Sequence, residues 1–454
     1  MPRQIILFAC FAFICVVLRK DAKRQPDVSY ALWLPWLWFG IISSRAISYW
    51  FGMGVSADSA DYYLDGSPFD RNVFIALIIL GIAILWNRKT EWSNIIKNNK
   101  FIFIYVLYLG LSTLWSDFTF VSFKRWVKEF GHITMILIIM TEHNPYEAFA
   151  TMIKRLAYIL IPLSVVFNKY FPEIGRMYSQ GGGDPQFIGV AQHKNSLGAI
   201  CVIFGLVLFW KLLALWHSRK ENKDTWEITI HVGYLAMIVS LLYSAQSATA
   251  IICAIVGTFI IIALNLPIIK NNTRAIKYYI LFLALILLII HLLFDLTALT
   301  ATSVGRDETL TGRTQIWEDV LAMKTNPLIG TGYQSFWLGE RAEYFWNKYW
   351  WHPNQAHNGY LEAYINIGMI GLCLLFIIII SDLINIFAKM NSKDNYDFQV
   401  LRITFLVIFL MVNITEASLV GLFWLTFLFI SFQPPRLINS KLNNSTVPIN
   451  HLSS

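Results

Sequence analysis

The chain has 454 residues, of which 56% are hydrophobic, 15% aromatic and only 14% charged. Soluble domains carry about 45–50% apolar and about 25% charged residues, so this composition excludes a soluble globular protein and indicates a polytopic membrane protein. The net charge of +8 does not indicate a nucleic-acid partner, because the basic residues sit in short loops beside apolar runs, where they set membrane orientation.

Crossing a bilayer takes roughly 20 apolar residues, and in lipid only helices or closed barrels satisfy their own backbone. The apolar runs predict an all-α chain of about 12–13 transmembrane helices, near 4–18, 30–52, 71–86, 101–116, 130–140, 156–171, 196–216, 228–244, 247–269, 278–296, 361–387, 399–415 and 417–432. The first run resembles a signal-peptide core, but Arg19-Lys20 and Lys23-Arg24 follow it in place of a small-residue cleavage site, which predicts a retained span. All five cysteines lie in apolar runs, where a thiol behaves as a small hydrophobe, and their spacing suggests neither a disulfide framework nor a metal site. The expected organisation is a helical core over 1–296, an extracytoplasmic loop subdomain carrying the active site over 297–360, the rest of the core over 361–432, and a disordered cytoplasmic tail over 433–454.

Loop charge predicts sidedness. Segments 19–24, 88–100, 219–223, 270–277 and 389–393 are basic, whereas 53–70, 244–249 and 415–418 contain no Lys or Arg. The alternation puts loops 117–129, 172–195 and 297–360 on the extracytoplasmic face. Those loops nevertheless hold the basic residues of that face, which points to an anionic ligand.

In the longest polar interval, Ile316, Trp317, Val320 and Leu321 recur at helical spacing after Thr311-Gly312-Arg313, and Asn326-Pro327 stops the run. This predicts a short amphipathic helix with Arg313 at its start. Arg313 is either an interfacial arginine that snorkels or a guanidinium fork for phosphate oxygens. His357 precedes an apolar run, so it sits at a helix N-terminus, where the dipole favours a neutral imidazole. It is either a proton acceptor or a capping residue, and His352 has the same chemistry in a weaker position. The aromatics Phe336, Trp337, Tyr344, Phe345, Trp346, Tyr349, Trp350 and Trp351 form either an interfacial belt or a platform for sugar rings.

The loop before residue 196 repeats this layout as His193-Lys194-Asn195, with Arg176 upstream of a triple glycine. Helix starts with nearby cations hold anions without a metal. Arg45, Lys124, Arg125 and Lys128 add positive charge near the same face. Arg45 lies within a predicted span, so it either faces the bundle interior or snorkels. No P-loop, G-x-S-x-G, H-E-x-x-H or paired-Asp motif occurs, which argues against nucleotide-driven or metal-driven chemistry.

The order Gly312-Arg313-x-x-x-Trp317, Asn326-Pro327-Leu328-x-Gly330-x-Gly332, His357-Asn358-x-Tyr360-Leu361, Gly368-x-x-Gly371 resembles the O-antigen ligase and Wzy-type polysaccharide polymerase superfamily, and within it the ExoQ-like exopolysaccharide polymerases. Weaker likenesses cover Ser44-Arg45, Gly66-Ser67-Pro68-x-Asp70-Arg71 and His193-Lys194-Asn195. The resemblance implies a glycosyltransferase of the bacterial inner membrane with its site facing the periplasm. It would transfer a glycan from undecaprenyl diphosphate to an acceptor glycan with inversion, using no cofactor beyond that lipid-linked donor. His357 would be the base and Arg313 would hold the diphosphate. A second family arginine has no clean match; Arg176, Lys194 or Arg45 would share its role. Trp317, His193, Asn195, Asn358, Tyr360 and Trp350 would contact glycan or support the site. Expected partners are the bilayer, the carrier-linked and acceptor glycans, a chain-length regulator and a flippase. Ligation of finished glycan to a lipid or protein is the near alternative, and a flippase or transporter of lipid-linked oligosaccharide is the alternative of another class.

Overall fold

The computed structural model describes residues 2–24, 29–53, 66–178, 185–217, 225–272, 313–349, 351–393 and 395–434. The predicted span 278–296, Gly312, Trp350 and nearly all of the tail lie outside the described residues. The chain is an all-α membrane protein. Its one described sheet is a two-stranded ribbon of β1 (Arg176–Met177) and β2 (Gln186–Phe187).

The first half of the bundle consists of α1 (Arg3–Ala22), α2 (Trp33–Ser43), α3 (Ile47–Trp50), α4 (Pro68–Trp86), the short α5 (Trp92–Asn98), α6 (Lys100–Ser112), α7 (Thr119–Met140) and α8 (Pro145–Tyr170). A single turn, α9 (Pro172–Gly175), leads into the ribbon, and α10 (Lys194–His217), α11 (Thr225–Ala245), α12 (Ala248–Asn265) and α13 (Pro267–Lys270) follow. After the loop helices α14 (Arg313–Ala322) and α15 (Glu340–Lys348), the bundle closes with α16 (Gly359–Asn391), α17 (Tyr396–Thr415) and α18 (Gly421–Ser431).

Among the described residues, seven helices are long and apolar enough to cross a membrane: α4, α8, α10, α11, α12, α16 and α17. Helices α1 and α7 are also long, at 20 and 22 residues, but carry more charge. Two of the expected segment boundaries differ from the structure. Residues 30–52 do not form one helix, because the chain breaks at Ser44-Arg45-Ala46 between α2 and α3. Residues 119–129, read as loop, form the first half of α7.

Local sequence accounts for the helix starts. Ser67 accepts the Asp70 N–H at 3.3 Å with Pro68 at the first helical position, and Asn144 caps α8 in the same way ahead of Pro145. The Gly66-Ser67-Pro68-x-Asp70 likeness therefore has a structural reason. Asp70 also accepts the Ser48 N–H at 2.9 Å and the Ser48 hydroxyl, which ties α3 to α4.

Packing joins α10 to α11 and α12, α12 to α17, α17 to α16, and α4 to α7. Two deeply buried cations in this core have carboxylate partners: Lys154 with Asp21 at 2.7 Å, and Arg402 with Asp382. Pairing of this kind offsets the desolvation cost of burying charge.

The loop helices build a small core of their own. Ile316 and Val320 of α14 pack with Phe336, Trp337, Phe345, Tyr349, Ala356 and Ile365. Its floor is a break in α16, where Gly368 adopts φ +66°. There Met369 N donates to Pro327 O at 2.9 Å and Ile370 N to Leu328 O at 3.1 Å. A Cβ on Gly368 would lie 2.2 Å from the Leu328 oxygen, and one on Gly330 would lie 2.5 Å from the Asn366 carbonyl carbon. The glycines of the motif therefore let two backbones touch.

Candidate active site

Helix α16 starts at a residue whose side chain suits the task. Asn358 accepts the N–H groups of Tyr360 and Leu361, both at 3.0 Å, as its N-cap. The residue before it, His357, is held at φ +52°, a conformation that costs a non-glycine residue about 1–3 kcal/mol. The neighbouring Ala356 peptide groups fix it there. Ala356 N donates to Glu362 Oε1 at 2.5 Å, and Ala356 O accepts from Trp317 Nε1 at 2.7 Å. Glu362 also accepts from Trp337 Nε1 at 2.8 Å and Asn366 Nδ2 at 3.0 Å.

The imidazole is oriented by a residue that the sequence reading did not select. His357 Nδ1 lies 3.2 Å from Glu416 Oε2, in the turn between α17 and α18. The other carboxylate oxygen, Oε1, accepts from Arg313 Nη2 at 3.1 Å and from Asn195 Nδ2 at 3.0 Å. Arg313 Nη1 also donates to Thr415 O. Ser247 Oγ donates to Asn195 Oδ1 at 3.2 Å, which brings the α11–α12 turn into the group. One carboxylate thus gathers residues from the loop helix α14 and from the starts of α10 and α16.

The electrostatics follow from that geometry. Burial pushes the Glu416 carboxyl up, but the hydrogen bond from His357 and the charge of Arg313 outweigh it and hold Glu416 below the ordinary glutamate range. Glu416 is therefore a carboxylate at neutral pH. His357 Nε2 makes no hydrogen bond among the described residues, and the side chain is 28% exposed. A ring with Nδ1 on a carboxylate and Nε2 free is arranged to accept a proton.

His193 differs. Its Nδ1 accepts the Ser196 N–H at 3.2 Å and its Nε2 lies 2.9 Å from Ser196 Oγ, so both ring nitrogens are used at the start of α10. Burial lowers its pKa, and the nearby His357 adds to that against the opposing pull of Glu416.

Beside the cluster lies a cavity of about 460 Å³, within the usual range for ligand sites. Ile41, Phe74, Leu422 and Phe423 make part of its wall apolar; His193, Asn195, Ser247 and Glu416 make another part polar.

The structure brings Arg313, His357, Asn195 and His193 to one place. Arg45 is only 3% exposed and donates to the carbonyls of Ala191 at 2.8 Å, Gly189 at 3.3 Å and Ile174. Through Nε and Nη2 it stitches the ribbon segment to the α2–α3 break, while Nη1 has no hydrogen-bond partner among the described residues. Arg176 donates to Asn168 O at 3.0 Å and lies over the Phe187 ring; of the clustered residues Glu416, Asn195 and His193 line the cavity, whereas Arg313, His357, Arg176 and Lys194 do not. Tyr360 donates to Leu410 O at 3.0 Å and stacks on Phe376, tying α16 to α17. The aromatics offered as belt or sugar platform have a third role, since Phe336, Trp337, Phe345 and Tyr349 form the loop's own core. Trp350 lies outside the described residues. Glu416 could have been flagged in the sequence as the acid in a short turn between two apolar runs.

Residues 232–376 match the family model described as O-antigen ligase. That segment contains Arg313, Trp317, His357 and Glu362, whereas Asn195 and Glu416 lie outside it. The chain is also 25% identical over 311 residues to the exopolysaccharide production protein ExoQ of Rhizobium meliloti (strain 1021). The alignment covers 64% of this chain and 66% of that protein, just under two thirds of its length. The chain is thus similar to the O-antigen ligase model over part of its second half and to an exopolysaccharide production protein over a longer stretch.

Proposed function

From that family likeness, we propose that the protein is a membrane glycosyltransferase of polysaccharide assembly, which joins undecaprenyl-diphosphate-linked repeat units at the extracytoplasmic face of the inner membrane without a metal. The observation that carries this reading is the Glu416 bridge, which points one imidazole nitrogen of His357 outward beside Arg313. An acceptor hydroxyl gives its proton to His357 Nε2 as its oxygen bonds to the anomeric carbon of the donor. The bond from that carbon to the diphosphate breaks, and the carrier diphosphate leaves with the electron pair. Glu416 stabilises the imidazolium that forms. Arg313, 21% exposed, offers its remaining face to the leaving diphosphate, where a guanidinium binds oxygens in a planar fork. The cavity, apolar on one part of its wall and polar on another, suits a ligand that joins a lipid to a charged head.

The test replaces His357 and Arg313 with alanine separately and follows carrier-linked glycan in membranes. Both proteins insert normally, polymer disappears, and single repeats accumulate on the carrier. Losing one positioned donor or base of this kind costs about 10²–10³ in rate. Polymer of unaltered length in the His357→Ala membranes removes the assignment. Ligation is the second reading, favoured by the description of the family model. It is distinguished by the accumulation of long carrier-linked chains in place of single repeats.

A further inference from the structure

The proposed reaction needs positive charge on the substrate side of the cavity, yet Arg313 is already bonded to Glu416 and Thr415, and Arg45 to backbone carbonyls. One lysine is in a different position. Lys128, on α7, lines the cavity, and its side chain is solvent-exposed there. Among the described residues no acceptor lies within hydrogen-bond or ion-pair distance of its ammonium, which lies 5.1 Å from the centroid of the Phe74 ring; Glu129, Asp70 and Arg125 are the charged groups that act on it from further away. The nearest cavity carboxylate, Asp70, is engaged by the backbone and hydroxyl of Ser48. Lys128 and His193 are the basic side chains on the cavity wall, and His193 is turned onto Ser196. Unlike the buried and paired Lys154 and Arg402, the Lys128 ammonium is exposed on the cavity wall with no bonded partner, which leaves it available to an anion that enters the cavity.

We infer that Lys128 binds a phosphate oxyanion of the lipid-borne donor, from a different wall of the cavity than the Arg313–Glu416–His357 group. This rests on the proposed function and adds the contact that Arg313 alone does not supply. The ammonium is a point charge on a flexible stem, which suits a phosphate whose position changes as the glycan end is transferred. A phospholipid headgroup offers the same oxyanion, so the test separates the two sources.

The full chain is placed in neutral-lipid nanodiscs, and its affinity for undecaprenyl diphosphate, undecaprenol and phosphatidylglycerol is measured for wild type, Lys128→Met and Lys128→Arg. In the expected result Lys128→Met binds the diphosphate about tenfold or more weakly, Lys128→Arg recovers most of that loss, and undecaprenol binds all three alike. Equal undecaprenol binding shows that the Met variant keeps its fold. Equal diphosphate affinity in wild type and Lys128→Met overturns the inference and leaves the proposed function standing. A loss confined to phosphatidylglycerol overturns it in favour of a bilayer-lipid contact. Wild-type protein that binds no undecaprenyl diphosphate overturns the proposed function and this inference with it.

Discussion

Two corners of the site have the same layout in sequence: a histidine, then an asparagine, then a long apolar helix. At the first, His193 occupies the helix start with both ring nitrogens bonded to Ser196, and Asn195 reaches out to Glu416. At the second the jobs are exchanged: Asn358 caps the helix and His357 reaches out to the same carboxylate. The backbone makes the difference. His357 stands just ahead of the cap at positive φ with its flanking peptide groups clamped by Glu362 and Trp317, which turns the ring away from its own helix. A His-x-Asn or His-Asn pair before an apolar run therefore does not tell which ring turns away from its own helix; which residue caps the helix does.

That contrast can be broken most directly by exchanging each ring. His357→Gln is expected to lose at least about a hundredfold in polymer formation, the contribution of a positioned base, while His193→Gln loses less than about tenfold. Equal losses would make the corners equivalent. Next in size, Glu416→Gln keeps the shape but removes the charge that both corners share. Rates of polymer formation in membranes are expected to fall about ten- to a hundredfold, the worth of a charge-assisted hydrogen bond. An unchanged rate would make Glu416 a spacer.

Smaller effects fall on stability. Asn358→Ala removes the cap and is expected to cost about 1 kcal/mol in unfolding measurements in detergent, while Asn195→Ala leaves its helix start capped by His193. The carboxyl and imidazole shifts both predict a loss of stability on acidification, in different pH windows. Glu416 is held below its ordinary range, so the stability it contributes is complete above about pH 4.3 and is lost as the pH falls through its lowered folded value. His193 is also held low, so its unfolded form takes up a proton first, and wild type loses stability as the pH drops below about 6.5. Melting temperatures at pH 7.5, 6.5 and 5.5 should converge for His193→Gln relative to wild type; parallel curves would show that its ring does not titrate in that window.

Much of this was legible in the sequence for identifiable reasons. Apolar runs of spanning length predict the long helices, and the spacing of Ile316, Trp317, Val320 and Leu321 predicts α14. His357 beside a helix start follows from its place ahead of an apolar run. What was missed depends on contacts distant in the chain. Glu416 is 59 positions from His357 and 103 from Arg313; its place in a short turn between two apolar runs marks it as an unusual acid but does not say what it meets. The break at Arg45 depends on carbonyls 129 to 146 positions away. That four of the loop aromatics, Phe336, Trp337, Phe345 and Tyr349, form a small core was not legible, because composition cannot tell a belt at an interface from a core folded above it. Lys128 was visible as charge, but that it lacks a partner is a property of three dimensions.

The break in α16 at Gly368 has a bearing on inheritance and engineering. Because Pro327 and Leu328 complete the hydrogen bonding of the interrupted helix, the loop and the first turns of α16 form a single transplantable part. A chimera that grafts residues 313–358 from a relative pairs a foreign loop with a native break and leaves the Met369 and Ile370 amides dependent on a mismatched strand of backbone. A graft that runs through Gly371 carries its own socket. Recombination between relatives that trade substrate preference should accordingly leave its crossover points beyond Gly371 rather than at the visible edge of the loop.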